Sequence, residues 1–133
     1  MLKTYLAVML GGAVGTALRF WLSNWFAVHY GETFPVGTIV VNVTGCFVIG
    51  LFAFLTGPDG SFLTSQLTKQ VVMIGVLGGY TTFSSFSLET LRQMQSGNWL
   101  YAGSYVLFSV LLCLIAVWLG YVLGGLLNSL KGH

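Results

Sequence analysis

The chain has 133 residues, 56% of them hydrophobic and only 6% Asp, Glu, Lys or Arg, where a soluble domain would carry roughly a quarter charged residues. That balance excludes a water-soluble globular domain and points to an all-α integral membrane protein with the lipid bilayer as its surroundings. A net charge of +2 is too small and too scattered to imply nucleic acid or an acidic partner.

A helix needs about 20 apolar residues to cross a hydrocarbon core of about 30 Å. Four stretches qualify: Tyr5–Val28, Val36–Leu55, Val71–Met94 and Leu100–Leu127, so residues 1–133 read as a single four-helix transmembrane domain. The start, MLKTYLAVMLGGAVG, has the charged flank of a signal peptide in Lys3. Its apolar run continues past Arg19 to Phe26 with no small-residue cleavage site, so it is read as the first span. The connections carry turn residues: Gly31, Glu32 and Pro35; then Gly57-Pro58-Asp59-Gly60; then Gly97-Asn98. Four crossings put both termini on one side, with Lys3, Lys69 and Lys131 there and Arg92 opposite, joined by Arg19 if its side chain snorkels outward. The bias of Lys and Arg sets orientation, and three against one or two is compatible with a fixed orientation or with insertion both ways.

In the first span, Gly11 and Gly15 stand at a helix-packing interval, as do Gly75 and Gly79, and Gly120 and Gly124. Arg19 lies behind the first pair, where it either snorkels to the interface or places a fixed positive charge beside an aqueous vestibule. In the second span Asn42 is deep, with Thr38 one turn before it on the same face. A helix-to-helix hydrogen bond worth about 0.6–2 kcal/mol is the simple role for that amide. Cys46 and Cys113 each fall within an apolar run and read as small apolar residues, not as a disulfide framework.

The third span is unlike the others. Gly78-Gly79 weakens a helix, and Thr81, Thr82, Ser84, Ser85 and Ser87 follow at once, interleaved with Phe83 and Phe86. Non-helical backbone at membrane depth persists only when buried in protein or lining a water-filled cavity, which is how broken helices build ion sites. The alternative is a kinked, packed helix whose hydroxyls bond their own backbone. Glu89 and Arg92, three apart, are placed to pair. In the fourth span Tyr105, Ser109 and Cys113 recur every four residues as one polar stripe.

Taken together, these groups are mainly donors or cations, and only Glu89 brings a negative charge into the spans. A donor-rich interior favours an anion. The half-helix starting near Thr82 turns its positive end inward, and Phe83 and Phe86 share a face from which electropositive ring edges can flank a small anion. His29 and His133 have no nucleophile arranged near them, so no enzyme is indicated.

Three motifs then resemble the Fluc (CrcB) fluoride channels of microbes: Gly11-Gly12-Ala13-Val14-Gly15 leading to Arg19; Gly37-Thr38 leading to Val41-Asn42 and Gly45; and Gly78-Gly79-Tyr80-Thr81-Thr82-Phe83-Ser84-Ser85-Phe86-Ser87. The resemblance covers essentially the whole chain. It implies a fluoride-selective passive channel of the bacterial inner membrane that exports fluoride accumulated after hydrofluoric acid enters a cell and dissociates. It also implies an antiparallel, dual-topology homodimer with two pathways. It puts Phe83 and Phe86 beside the ions as ring-edge ligands, Asn42 as an amide donor, and Arg19 as a positive feature of the vestibule. Thr82, Ser84 and Ser85 would form a polar track facing Tyr105 and Ser109, with Glu89 bordering the pore and Thr38 beside it. The carbonyls of Gly78 and Thr81 from both subunits would hold one structural sodium ion. Departures are Thr16 for a more usual Ala, Cys46 where Ser is common, and Cys113 at a position often hydroxylated. Two rivals stand beside this reading. A small multidrug exporter would want a carboxylate in the first span, which has none. A non-conducting assembly partner would use the glycines only to pack.

Overall fold

The structure, a computed structural model, describes residues 1–131, and every regular element among them is helical. Helix α1 spans Leu2–Tyr30, α2 Val36–Leu55, and α6 Trp99–Lys131. The third crossing is composite: α3 (Gln66–Gln70), a π-helical stretch (Val71–Val76), α4 (Leu77–Tyr80), two extended residues, and α5 (Phe83–Gln95). Four helical passes are thus long and apolar enough to span a bilayer. Large apolar side chains such as Leu10, Phe20, Leu114 and Trp118 remain on the outside, as suits a chain whose solvent is lipid.

Turn chemistry closes the elements. Gly31 (φ 79°) ends α1, with its N–H on the Ala27 carbonyl. Gly97 (φ 76°) follows α5 and donates to Met94 O while Asn98 N donates to Gln93 O, the paired bonds of a Schellman end. At the start of the third crossing the Ser65 hydroxyl caps α3 by accepting from Thr68 N.

Without a hydrophobic force between helices in lipid, association rests on close van der Waals packing, and the glycines supply it. A Cβ on Gly15 would run into the Val76 carbonyl, and one on Gly79 would lie 2.5 Å from Gly12 O. These contacts hold α1 against the π-helical stretch and α4. On the other side α2 and α6 run parallel. Thr38 stands level with Tyr105, Gly50 with Val117, and Phe54 with Tyr121, all at one constant offset. A Cβ on Gly50 would meet the Val117 carbonyl and one on Gly120 the Phe47 carbonyl, so at both points backbone lies directly on backbone. The Phe54 and Tyr121 rings close the far end edge to face, 5.1 Å apart. The helix-packing role expected of the Gly11/Gly15, Gly75/Gly79 and Gly120/Gly124 pairs is the one they have.

Gly50→Ala is expected to separate α2 from α6 and lower stability by about 1–3 kcal/mol, the usual penalty of overpacking. Reversible unfolding of the purified protein in mixed micelles would measure it, with Gly103→Ala as a control because a Cβ there meets nothing within 4 Å.

Candidate functional site

The break in the third crossing falls at Thr81 and Thr82, both extended (ψ 157° and 114°), immediately after the Gly78-Gly79 pair, which itself stays helical. The backbone groups that lose helical partners there need others. Thr81 N still reaches Leu77 O at 3.0 Å. Thr82 N, which a continuous helix would direct to Gly78 O, instead donates to Asn42 Oδ1 at 2.7 Å. Asn42 Nδ2 donates back to Thr82 O at 3.0 Å. Asn42 therefore replaces the missing helical turn with a two-bond clasp from α2. Its amide has a second hydrogen that this clasp does not use.

Thr82 also begins the new helix. Its hydroxyl accepts from Ser85 N at 3.2 Å and donates to Ser85 Oγ at 3.0 Å, with Ser84 Oγ at 3.4 Å. This side-chain cap satisfies one of the orphan N–H groups of the first turn. The positive end of the α5 dipole is left at mid-span. Thr81 and Ser87 return their hydroxyls to their own helix, to Leu77 O and Phe83 O. The two alternatives for this hydroxyl run thus divide between its members.

Three helices contribute side chains at successive levels. At one level the Glu89 carboxylate of α5 accepts from Thr38 of α2 (2.8 Å) and from the Tyr105 hydroxyl of α6 (2.5 Å). Its bonds run to α2 and α6, not to the Arg92 expected to pair with it. One turn further in on each helix stand Asn42, Phe86 and Ser109. Tyr105 is fully buried (0% exposed) between rings: Phe86 lies 5.1 Å away and Phe34 5.7 Å away, edge on. Ser109 is 6% exposed, and its hydroxyl has no partner among the described residues. A buried unpaired hydroxyl costs about 1–3 kcal/mol, a cost that a group accepting its hydrogen would remove.

Two cavities flank this wall. The inner one, about 380 Å³, is lined by Asn42, Thr82, Phe83, Phe86 and Ser109, with Gly78 and Thr81 at its edge. The other, about 450 Å³, is lined by Thr38, Glu89, Arg92, Gln93 and Phe34. Ser84, Ser85 and Arg19 lie in neither wall. Phe83 and Phe86, with centroids 5.3 Å apart, have different fates: Phe86 is 7% exposed and Phe83 78%.

The sequence reading missed three contributors. Phe34 looked like a loop residue, although an aromatic beside the Pro35 helix start is a signal that could have been used. Arg92 supplies the cation of the outer cavity. Gln93 donates to Thr33 O at 2.9 Å and holds the loop that carries Phe34.

Comparison with known proteins followed from these features. Residues 6–121 match the family described as CrcB-like protein, Camphor Resistance (CrcB). The chain is 56% identical over 131 residues to a protein of Opitutus terrae named fluoride-specific ion channel FluC, covering 98% of this chain and 99% of that one. It is 54% identical to one of the same name from Rhodospirillum rubrum, covering 95% and 98%. With another from Methylocella silvestris the identity is 48%, covering 96% and 98%.

Removing the clasp should loosen the break. Asn42→Ala strands the Thr82 N–H and C=O and is expected to cost about 1–3 kcal/mol for each group left buried and unpaired. Asn42→Asp keeps the acceptor for Thr82 N and should cost less. Unfolding in mixed micelles, with hydrogen exchange at Thr82 and Phe83 as the local reading, checks the ranking.

Proposed function

This chain belongs to the CrcB-like protein (Camphor Resistance) family, and we propose that it is a passive, fluoride-selective channel through which a cell loses cytoplasmic fluoride. It is a multi-pass protein of the bacterial inner membrane, and the relatives it matches are named as ion channels, not enzymes. The observation that carries the reading is the inner cavity. It holds the buried, unpaired Ser109 hydroxyl, the free amide hydrogen of Asn42, the N-terminal end of α5 and the Phe83 and Phe86 rings. Each presents positive character without a full charge, as a small anion requires if it is to bind and leave again.

Fluoride holds its water tightly, so donors must replace that water at each level. In this proposal the ion moves between the cavity of Thr38 and Arg92 and that of Asn42 and Ser109, past Phe86 and Tyr105. Glu89 borders the route with both carboxylate oxygens engaged by hydroxyl donors, which tempers its repulsion of an anion. Arg19, half-buried on α1, would act on entering anions through its charge. Ser84 and Ser85 would extend the polar track, Ser84 from the exposed face of α5.

The functional unit proposed is a homodimer of two antiparallel copies with two pathways. Phe83 and Gly78 are exposed on the same face of one chain, and Phe83 would complete its surroundings on a second copy. The Gly78 carbonyl, released by the turn of Thr82 N to Asn42, and the Thr81 carbonyl are hard oxygen donors that fit a sodium ion. Two such carbonyls from each copy would hold it between the chains, and its positive charge would stabilise anions nearby.

Two measurements test this. Liposomes containing the protein should lose fluoride rapidly and chloride negligibly under an ionophore-set potential, and Phe83→Ile or Phe86→Ile should reduce the loss to that of protein-free liposomes. No fluoride flux from folded protein would overturn the channel. For the sodium site, thermal unfolding should begin a few degrees higher in sodium than in N-methylglucamine, because an ion bound only between folded copies stabilises the folded assembly. Equal midpoints would remove sodium from the reading.

A further inference from the structure

The parallel register of α2 and α6 that sets Gly50 against Val117 and Thr38 level with Tyr105 also sets Cys46 level with Cys113. The two thiols are free and half-buried. Both line the inner cavity, and the Met73 thioether from the π-helical stretch lines it with them. Three sulfur-bearing side chains from three segments thus border one space that, among the described residues, no carboxylate or imidazole lines. Thiolate and thioether are soft ligands that discriminate against hard cations.

We infer that Cys46 and Cys113, with Met73 alongside, form a binding site for a soft divalent d10 cation, and that mercuric ion fits it best. Two S–H bonds break and two metal–sulfur bonds form. From mercuric chloride, two protons and two chloride ions leave, and no oxidation state changes. Two thiolates on a divalent cation make a neutral unit, so the complex avoids the cost of a net charge at membrane depth. Zinc seeks four strong ligands in a structural site, whereas a two-coordinate ion is satisfied by the thiol pair with the thioether as a weaker third contact. Because the two cysteines stand level on parallel helices and border the same cavity, one ion can reach both without a change in the register of α2 and α6.

The experiment titrates the reduced, full-length protein in detergent with mercuric chloride against a competing monothiol. Bound mercury and free thiols are then counted after unfolding. One mercury per chain is expected, with both thiols lost together. Cys46→Ser and Cys113→Ser should each bind about 100-fold more weakly, the low end of the gain from making a second attachment intramolecular. Two mercury ions per chain, each capping one thiol, would overturn the site, as would single variants that hold mercury as tightly as the parent. The parent stoichiometry decides between one and two without any variant having to fold. Binding is read without transport, so the result is independent of the fluoride reading.

Discussion

A helix interrupted in the middle of a membrane leaves backbone groups with no water to turn to, and the rest of this molecule is arranged around that constraint. Asn42 resolves it by giving Thr82 both an acceptor and a donor. The clasp works only if α2 is held at a fixed height beside the break. That height is set by backbone contact between α2 and α6 at Gly50 and Gly120, and on the opposite side by α1 against Gly75 and Gly79. Close packing by small residues and a buried polar clasp are therefore one device. The first brings the helices near enough for the second to form, and the second permits a helix N-terminus to end inside the bilayer.

That N-terminus changes the chemistry of the interior. A continuous third helix would have presented only side chains at mid-span. The break adds the positive end of a helix dipole, releases the Gly78 carbonyl from its helical donor, and brings two aromatic rings to the same cavity as the Ser109 hydroxyl. The constant register of α2 and α6 then orders the other polar groups into levels: Thr38 with Tyr105, Asn42 with Ser109, Cys46 with Cys113. Phe86 is packed on Tyr105, whereas Phe83 faces outward.

Much of this was legible in the residues. Composition and run length gave an all-helical, four-pass membrane protein, and the glycine pair followed by hydroxyls located the interruption to within a few positions. The glycine intervals marked the packing faces correctly. Other details were not legible. Phe83 and Phe86 are indistinguishable by type and share a face by spacing, yet one is buried and the other is not: Tyr105 of α6 packs on Phe86, while Phe83 is 78% exposed. Glu89 is placed by helical spacing to pair with Arg92, but Thr38 and Tyr105, distant in sequence, offer closer donors. Ser109 would ordinarily bond its own helix backbone. Here its hydroxyl is buried without a partner, which no local rule foretells.

By itself the sequence determined what lipid and helix geometry impose locally: which segments span, where the third must fail, and which faces are narrow enough for close contact. These follow from short-range periodicity and from the absence of water, so they are written in runs of neighbouring residues. The tertiary structure alone decided which partners meet. It turned Asn42 towards the Thr82 backbone, gave Glu89 two hydroxyl donors, left the Ser109 hydroxyl unpaired, and brought two cysteines from different helices to one cavity. Those outcomes depend on the relative height and rotation of packed helices, quantities fixed by contacts between residues far apart in the chain.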